Sequence, residues 1–279
     1  MYQATPRFSM SVTIPIVMNK MVFMAPALGS GLGHPQKLNA AGLGDMTVIA
    51  RSWVFKPEHS PKQNISFGVG LKLPTGDWRA RDVYANADGT YYNRKPVPLT
   101  IMPGDGGLGI YVEGYGYKSM KWPVQGSTYF AFGNYVITPQ NTSNTPSQIL
   151  TSGQFSAPQV QNALLNTIPD TYSTRAGVLI PSSRKGSKVN LGTQLAFRWD
   201  GSPQRDLIGR HDGFRQPGWF MAFEPGIVAQ YKRHQFSVTA PITFLANALP
   251  NLGEGRNSPA PRTTAFAPVS LSVRYGYAF

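Results

Sequence analysis

The sequence predicts an all-β fold, an antiparallel up-and-down transmembrane β-barrel of about 10 strands, or 12 if the native chain begins further upstream. Three observations predict it. Segments of about ten residues alternate apolar with polar side chains. The connections between these segments alternate strictly between long and short, and the chain ends on an amphipathic strand. A soluble sandwich also contains short alternating strands, but it does not predict the alternation of loop lengths. We therefore treat residues 1–279 as a single outer-membrane β-barrel domain.

The final strand, 267–279, has the clearest pattern. Its apolar and aromatic side chains fall on every second position, at Val269, Leu271, Val273, Tyr275, Tyr277 and Phe279. Exposed edge strands promote aggregation in soluble proteins, so we expect this strand to pair with the first one and close the sheet. The ending also resembles the C-terminal signal that the bacterial barrel-assembly machinery recognises, and the residues that carry this signal are Tyr275, Tyr277 and Phe279.

The other strands follow from the same period-two alternation. The predicted strands are 7–16, 45–55, 65–73, 108–118, 128–138, 172–181, 189–199, 219–231, 236–244 and 267–279. The predicted long loops are 17–44, 74–106, 139–170, 200–217 and 246–266. Within the third of these loops, residues 159–167 have the composition of a short helix, and the loop is poor in charge, so we expect it to fold into the mouth of the barrel.

Composition excludes several classes of protein. The 279 residues include no cysteine, which rules out a disulfide framework and a thiolate metal site. No apolar run reaches the ~18–20 residues of a membrane helix. The start at Met1 lacks a basic region followed by an apolar one, so a secretory signal has been removed or lies upstream.

Five short motifs, in order along the chain, resemble one family. They are GLGD at 42–45, GLKLPTGD at 70–77, EPGIVAQY at 224–231, SVTAPI at 237–242 and SVRYGYAF at 272–279. Together they resemble the outer-membrane proteins named as transporters of the phenol-degradation meta-pathway, which are similar in turn to the long-chain fatty-acid channels. The resemblance covers nearly the whole chain and implies an outer-membrane β-barrel, but no binding residue is carried over from it. In that family an earlier strand precedes a stretch like residues 1–10, which implies a barrel larger than ten strands.

Nothing in the sequence predicts an enzyme, a cofactor or a metal site. The four histidines all fall in loops or turns without a partner at ligand spacing, at His34, His59, His211 and His234. The glycine clusters at 29–33 and 104–109 do not lie between a strand and a helix, so they are not phosphate-binding loops. No nucleophile-elbow spacing is present.

Charged residues on the predicted strands fall on the polar face, which faces the lumen of a barrel. These lumen-lining candidates are Lys72, Glu113, Arg175, Arg198, Glu224 and Arg274, with Arg51 as a weaker one. Two interpretations are open. The opposite charges pair with each other in a polar interior, or the excess of basic residues makes an anion-preferring pore.

The short connectors are also basic. We predict a periplasmic basic rim formed by Lys56, Lys121, Arg184, Lys185, Lys232 and Arg233. Such a rim suits an acidic periplasmic protein, or it serves only to solvate the turns. Nucleic acid is a poor candidate because the basic residues do not share one recognition element.

These observations favour a porin-like channel or transporter in the outer membrane of a Gram-negative bacterium, for small anionic or aromatic solutes. Its expected surroundings are outer-membrane lipid and lipopolysaccharide, with the barrel-assembly machinery as a partner during biogenesis. Two alternatives remain: a scaffold barrel that holds a periplasmic or redox partner, and a soluble lipid-binding β-barrel. Detergent dependence separates the soluble protein from the other two, and conductance separates channel from scaffold.

Overall fold

The protein is a curled antiparallel sheet with hairpins at one end. The structure, a computed structural model, describes residues 2–3, 5–24, 35–85, 92–140, 142–147, 164–183, 186–209, 213–249 and 266–277. The sheet, called the wall below, contains β1 (Tyr2–Gln3), β2 (Phe8–Thr13), β5 (Met46–Trp53), β6 (Gln63–Leu73), β9 (Gly109–Met120), β10 (Ser127–Ile137), β13 (Thr171–Pro181), β14 (Asn190–Ser202), β15 (Gly218–Tyr231), β16 (His234–Thr239), β17 (Ile242–Ala248) and β18 (Ser272–Tyr277). Within these residues, no helix has the length and apolar character needed to cross a bilayer.

Neighbouring wall strands pair antiparallel in the order β1-β2-β5-β6-β9-β10-β13-β14-β15-β16-β18. The predicted strands are therefore confirmed as elements, with bounds shifted by a few residues. Tyr277 pairs with His234 beside a two-residue turn, and Arg7 lies against Trp53 next to the short connector after β5. β2 thus begins and β18 ends at the end of the sheet that carries the short connectors, whereas β1 runs back along β2 with Tyr2 opposite Met10. In the described residues β18 does not pair with β1 or β2, so the expected closing pair is not formed there.

The ninth predicted strand, 236–244, is divided in two. β16 pairs with the second half of β15, and β17 pairs with its first half. Pro241 lies at the break and has no N–H to donate to the ladder, which is why the strand is interrupted at that point. The carbonyl of Pro241 still accepts a hydrogen bond from Ser270 N at 3.0 Å, so this region remains attached to the chain that leads into β18.

Three of the predicted long loops contain hairpins, which is a correction. The hairpins pair β3 (Ile16–Met24) with β4 (Pro35–Leu43), β7 (Arg81–Ala85) with β8 (Tyr92–Pro96), and β11 (Thr142–Pro146) with β12 (Leu165–Thr167). A single 3₁₀ turn covers Leu99–Ile101. The short helix expected over 159–167 is wrong where it overlaps β12, and residues 159–163 lie outside the described residues.

The two faces of the wall differ sharply. The convex face carries exposed apolar side chains, among them Phe67, which is 62% exposed, whereas the concave face of β6 buries Asn64, Ser66 and Lys72. Apolar side chains at alternate positions of the later strands and beside them follow the same pattern. Val238 is half-buried, and six others are exposed: Val189, Leu191, Leu195, Phe236, Leu271 and Val273. This is the reverse of a soluble barrel, which packs its apolar face inward. It is compatible with an outer-membrane β-barrel.

The apolar core of this molecule lies in the hairpins at the long-connection end. We use the name loop module for the unit formed by β3, β4, β7, β8 and residues 78–80 and 97–102. Its buried residues are Leu38, Ala40, Ala80, Val97, Ile101 and Met102, with Met21, Trp78, Tyr84 and Leu99 packed against them. Polar contacts hold the hairpins together: Asn19 Nδ2 donates to the carbonyl of Ile101 at 3.0 Å, and Tyr84 donates its hydroxyl to the carbonyl of Pro96 at 2.9 Å.

Candidate functional site in the barrel interior

The two motifs of the N-terminal half meet at the mouth, where the loop module joins the wall. Asp45, which ends GLGD, accepts hydrogen bonds from Gly76 N at 2.9 Å and Asp105 N at 3.1 Å. Gly76, in GLKLPTGD, approaches Gly104 so closely that a Cβ on Gly76 would lie 2.6 Å from Gly104 Cα. A side chain at either glycine would therefore separate the two segments. These motif residues attach the loop module to β5, β6 and the segment before β9.

Lys72 belongs to the same junction. Its ammonium group contacts Asp105 directly and lies 3.6 Å from Asp45 Oδ2. Burial raises the pKa of Asp105, and the positive charge of Lys72 opposes this rise. Lys72 is thus on the concave face, as expected, but it is occupied by two carboxylates that the sequence analysis did not single out. A cavity of about 330 Å³ borders this junction, with Asp45, Asp105 and Thr171 among its lining residues.

Arg51 and Glu113 form a hydrogen-bonded ion pair that crosses β6. Arg51 Nη2 donates to Glu113 Oε2 at 3.1 Å, Nε donates to Oε1, and Nη1 donates to Ser11 Oγ at 2.6 Å. Gly68 lies between the two residues in the register, and a Cβ on it would approach Glu113 Cγ to 2.7 Å. The glycine therefore leaves the space in which the two long side chains meet.

Arg198 is held by a residue on its own strand. Its Nε donates to Asp200 Oδ2 at 2.5 Å, and Ser173 Oγ donates to Asp200 Oδ1 at 2.6 Å. The guanidinium also lies over the ring of Phe220, 5.7 Å from its centroid. Asp200 was not among the predicted interior charges. Its carboxylate makes the net positive charge of the lumen smaller than the sequence predicted. Arg198 thus contacts Asp200 and Phe220 on the mouth side of the interior.

Arg175 and Arg274 converge on a second interior cavity, which we call the aromatic pocket. It has a volume of about 300 Å³ and is lined by Tyr115, Thr128, Phe130, Phe132, Arg175, Leu179, Gln194, Val228, Gln235 and Arg274. The three aromatic side chains come from β9 and β10, and the two arginines come from β13 and β18. Arg175 lies 3.1 Å from Glu224, and Arg274 is near enough to Arg175 to repel it. Among the described residues, Arg274 has no carboxylate partner.

A buried polar network joins two further long connections, the one between β10 and β13 and the one between β14 and β15. Arg215 is completely buried and donates two hydrogen bonds to Asp206, at 2.9 and 2.7 Å. Asp206 Oδ1 accepts a hydrogen bond from Asp170 N at 2.9 Å, and Asp170 in turn accepts from Thr138 N at 2.7 Å. The network ties the chain after β10, the chain before β13 and the connection after β14 to one another. These hydrogen bonds hold the connections together at the mouth.

The rim lies at the end of the sheet opposite the mouth, and the C-terminal aromatic residues lie on the convex face. Lys56, Lys121, Lys232 and Arg233 are exposed in the short connectors, whereas Arg184 and Lys185 lie outside the described residues. Tyr275 and Tyr277 are exposed on β18, and Tyr275 OH lies 2.7 Å from His234 Nδ1. Phe279 also lies outside the described residues. The roles predicted for these residues stay predictions.

The comparison with protein families agrees with the motifs. Residues 3–93 match the family described as "Putative MetA-pathway of phenol degradation". The match includes GLGD and GLKLPTGD, the two motifs that meet at the mouth, and it confirms the resemblance drawn from the sequence. The three later motifs lie beyond the matched residues. Among curated proteins, none matches the chain.

Sequence reasoning missed several interior residues for a common reason. Phe130 and Phe132 lie on a strand with aromatic residues on both faces, so their direction was ambiguous, and the register now assigns them to the concave face. Asp45 is the first residue of the predicted strand 45–55 and lies just before β5, and Asp105 lies in a predicted long loop, so alternation gives no clear signal for either. Gln194 and Gln235 are uncharged, and only their convergence with Arg274 distinguishes them from other polar interior residues.

Proposed function

We propose that this protein is an outer-membrane β-barrel that passes small aromatic anions, and that the aromatic pocket is where they are selected. One observation carries the proposal. Arg175 pairs with Glu224, Arg274 has no carboxylate partner among the described residues, and both arginines line a cavity of about 300 Å³ together with three aromatic rings. A cavity of this size is at the small end of ligand sites and fits a molecule with one ring.

The chemistry of the pocket matches the two parts of such a solute. An aromatic carboxylate has a flat apolar ring, which gains from edge or offset contact with Phe130, Phe132 and Tyr115. Its carboxylate accepts paired hydrogen bonds from a guanidinium, the geometry for which arginine is suited. A neutral ring would use only the first of these interactions, so the pocket distinguishes an anion from its neutral analogue.

The wall supports the membrane location. Its convex face exposes large apolar side chains on successive strands, and strands of 11 to 14 residues such as β6, β14 and β15 are long enough to cross a bilayer when tilted. The apolar face would be covered by outer-membrane lipid and lipopolysaccharide. We propose that the barrel-assembly machinery inserts the chain by recognising Tyr275, Tyr277 and Phe279.

The test is transport by the purified protein in liposomes. The wild-type protein should pass benzoate faster than benzyl alcohol, which has the same ring without the negative charge. Arg274→Gln should lower benzoate flux about tenfold, as expected for loss of one charge-assisted contact, and leave benzyl alcohol unchanged. Arg79→Gln, an exposed arginine of the loop module, is the matched control and should change neither flux. Equal benzoate flux in the Arg274 variant and the wild type would overturn the proposal.

A second candidate function is suggested by the rim. Its described members are exposed and have no acidic partner among the described residues, which suits docking of an acidic periplasmic protein. A scaffold of this kind would insert in the membrane and conduct nothing. Measuring conductance in a planar bilayer therefore separates it from the channel.

A further inference from the structure

The interior contains two arginine–glutamate pairs that are built differently. In the first, Arg51 and Glu113 are joined by two hydrogen bonds, and the remaining Arg51 nitrogen donates to Ser11. All three guanidinium nitrogens thus have acceptors. Three of the five N–H donors of Arg51 are therefore engaged by the protein, including both that face Glu113.

In the second pair, the two groups are in ion contact without a hydrogen bond. Arg175 Nε lies 3.1 Å from Glu224 Oε2, but the N–H bond is not directed at the oxygen. Both atoms are inaccessible to solvent, and neither has a hydrogen-bond partner among the described residues. A buried polar atom without a hydrogen-bond partner is costly, so the contact depends on the attraction between the two charges.

The local sequence explains how the contact arises. Ala196 of β14 lies opposite Glu224 in the register, and its small side chain leaves room for Arg175 and Glu224 to approach each other over β14. Glu224 is 1% exposed, so no water-filled space separates it from the arginine. Arg274, on the far side of the aromatic pocket, adds a second positive charge without a second carboxylate.

We propose that Glu224 is an internal counter-ion that competes with the solute for Arg175, an inference that rests on the function proposed above. With the pocket empty, Glu224 neutralises Arg175. When an aromatic anion arrives, its carboxylate engages the unused donors of Arg175 together with Arg274. When the solute leaves, Glu224 again neutralises the charge of Arg175.

This competition has a function in transport. A pore must bind its solute strongly enough to admit it and weakly enough to release it. Two neighbouring arginines without a counter-ion would hold an aromatic carboxylate tightly and slow its exit. Glu224 lowers the affinity of the pocket for anions, and it does so without narrowing the cavity.

The experiment measures equilibrium binding and flux of benzoate for Glu224→Gln in the purified full chain. We expect benzoate to bind about tenfold more tightly, which corresponds to ~1.4 kcal/mol, and its maximal flux to fall. Binding and flux of benzyl alcohol should not change. Glu113→Gln is the matched control: it removes the carboxylate of the fully hydrogen-bonded pair outside the pocket, so benzoate affinity should stay at the wild-type value. Unchanged or weaker benzoate binding by Glu224→Gln overturns the inference.

A second variant covers the case in which Glu224→Gln fails to fold, since it leaves a buried arginine uncompensated. Glu224→Asp keeps the charge and withdraws it from Arg175 by one methylene, and we expect benzoate to bind about threefold more tightly. Wild-type or weaker affinity in that variant also overturns the inference.

Failure of this inference is distinguishable from failure of the proposed function. If the wild-type protein does not prefer benzoate over benzyl alcohol and Arg274→Gln changes nothing, the function proposed for the pocket is wrong. If that preference and its loss in Arg274→Gln are observed while both Glu224 variants bind benzoate no more tightly, only the role of Glu224 is wrong.

Discussion

The wall and the loop module bury opposite kinds of side chain. In the wall, large apolar residues such as Phe67 and Val69 are 62% and 60% exposed, while Glu113 and Glu224 are buried. In the loop module, Leu38 is completely buried and the hairpins expose residues such as Lys37 and Asn39. The loop module thus buries apolar side chains and exposes polar ones, as proteins in water do. The wall does the reverse.

The difference shows where each part finds its stability. The loop module has an apolar core and gains from removing that core from water. In the membrane location proposed above, the wall would gain from lipid on its convex face, and its interior must satisfy buried charges by pairing them. Substitutions that look alike should therefore change the free energy of unfolding by different amounts in the two regions.

The polar network at the mouth should give the largest effect. Asp206→Ala leaves the buried Arg215 guanidinium without its carboxylate, which should cost about 3–5 kcal/mol. The free energy of unfolding in urea and protease cleavage of the long connections both measure this. Asp77→Ala, at an exposed carboxylate of the mouth, is the control and should cost less than ~1 kcal/mol. Equal losses in the two variants would show that the network does not stabilise the mouth.

Leucine truncation compares the two regions directly. Leu38→Ala should leave a cavity in the loop module and cost about 2–5 kcal/mol in detergent and bilayer alike. Leu71→Ala, on the convex face, leaves no cavity because lipid or detergent fills the space, so its loss should be smaller and should depend on the amphiphile. Urea unfolding in each medium measures both. A larger loss for Leu71 would contradict the assignment of the core to the hairpins.

Arginine substitutions test the depth of the wall in the membrane. Val69→Arg, in the middle of β6, should cost about 2–4 kcal/mol in lipid vesicles, whereas Val124→Arg, in a short connector, should cost about 0–1. Reversible unfolding from vesicles gives both values. Equal tolerance at the two positions would mean that the convex face does not lie in the hydrocarbon layer.

A glycine pair tests the interior ion pair. Gly68→Ala forces a methyl group against Glu113 and should cost about 1–3 kcal/mol by disturbing its contact with Arg51. Gly133→Ala is the control, because the nearest atom to its added methyl group is Thr174 Cγ2 at 3.5 Å, an ordinary contact. The comparison uses the urea midpoint of each variant. If both alanines are tolerated equally, Gly68 is not required for the pair to form.

The rim should show the smallest change in stability. Reversing the charges of Lys121, Lys232 and Arg233 to glutamate should alter the free energy of unfolding by no more than about 0.5 kcal/mol each, since all three are exposed. If the rim recruits anions or an acidic protein, the variant loses anion preference or the co-purifying protein. The wild type loses the same property at high salt, because the reach of the rim charges, ~8–10 Å at physiological salt, becomes shorter as the salt concentration rises. Unchanged selectivity and partners would leave the rim with solvation alone.

Sequence determined the wall almost completely. Period-two alternation is a local property of the backbone, so the strands and the directions of Leu191, Gln194 and Arg198 follow from the residues themselves. The alternation of long and short connections likewise follows from spacing along the chain. The interior positions of Lys72, Glu113, Arg175, Glu224 and Arg274 could be predicted for the same reason.

Tertiary structure alone decided the partners of those charges and the contents of the loops. Arg175 and Arg274 are far apart in sequence, and only the curl of the sheet brings them to one pocket with Phe130 and Phe132. The hairpin of β3 and β4 was missed because β4 contains glycine, alanine and asparagine, which have low strand propensity, and it is stabilised by packing against other loops. Alternation specifies which face a side chain occupies, but contacts across several strands depend on how the sheet curls, and that is a property of the whole fold.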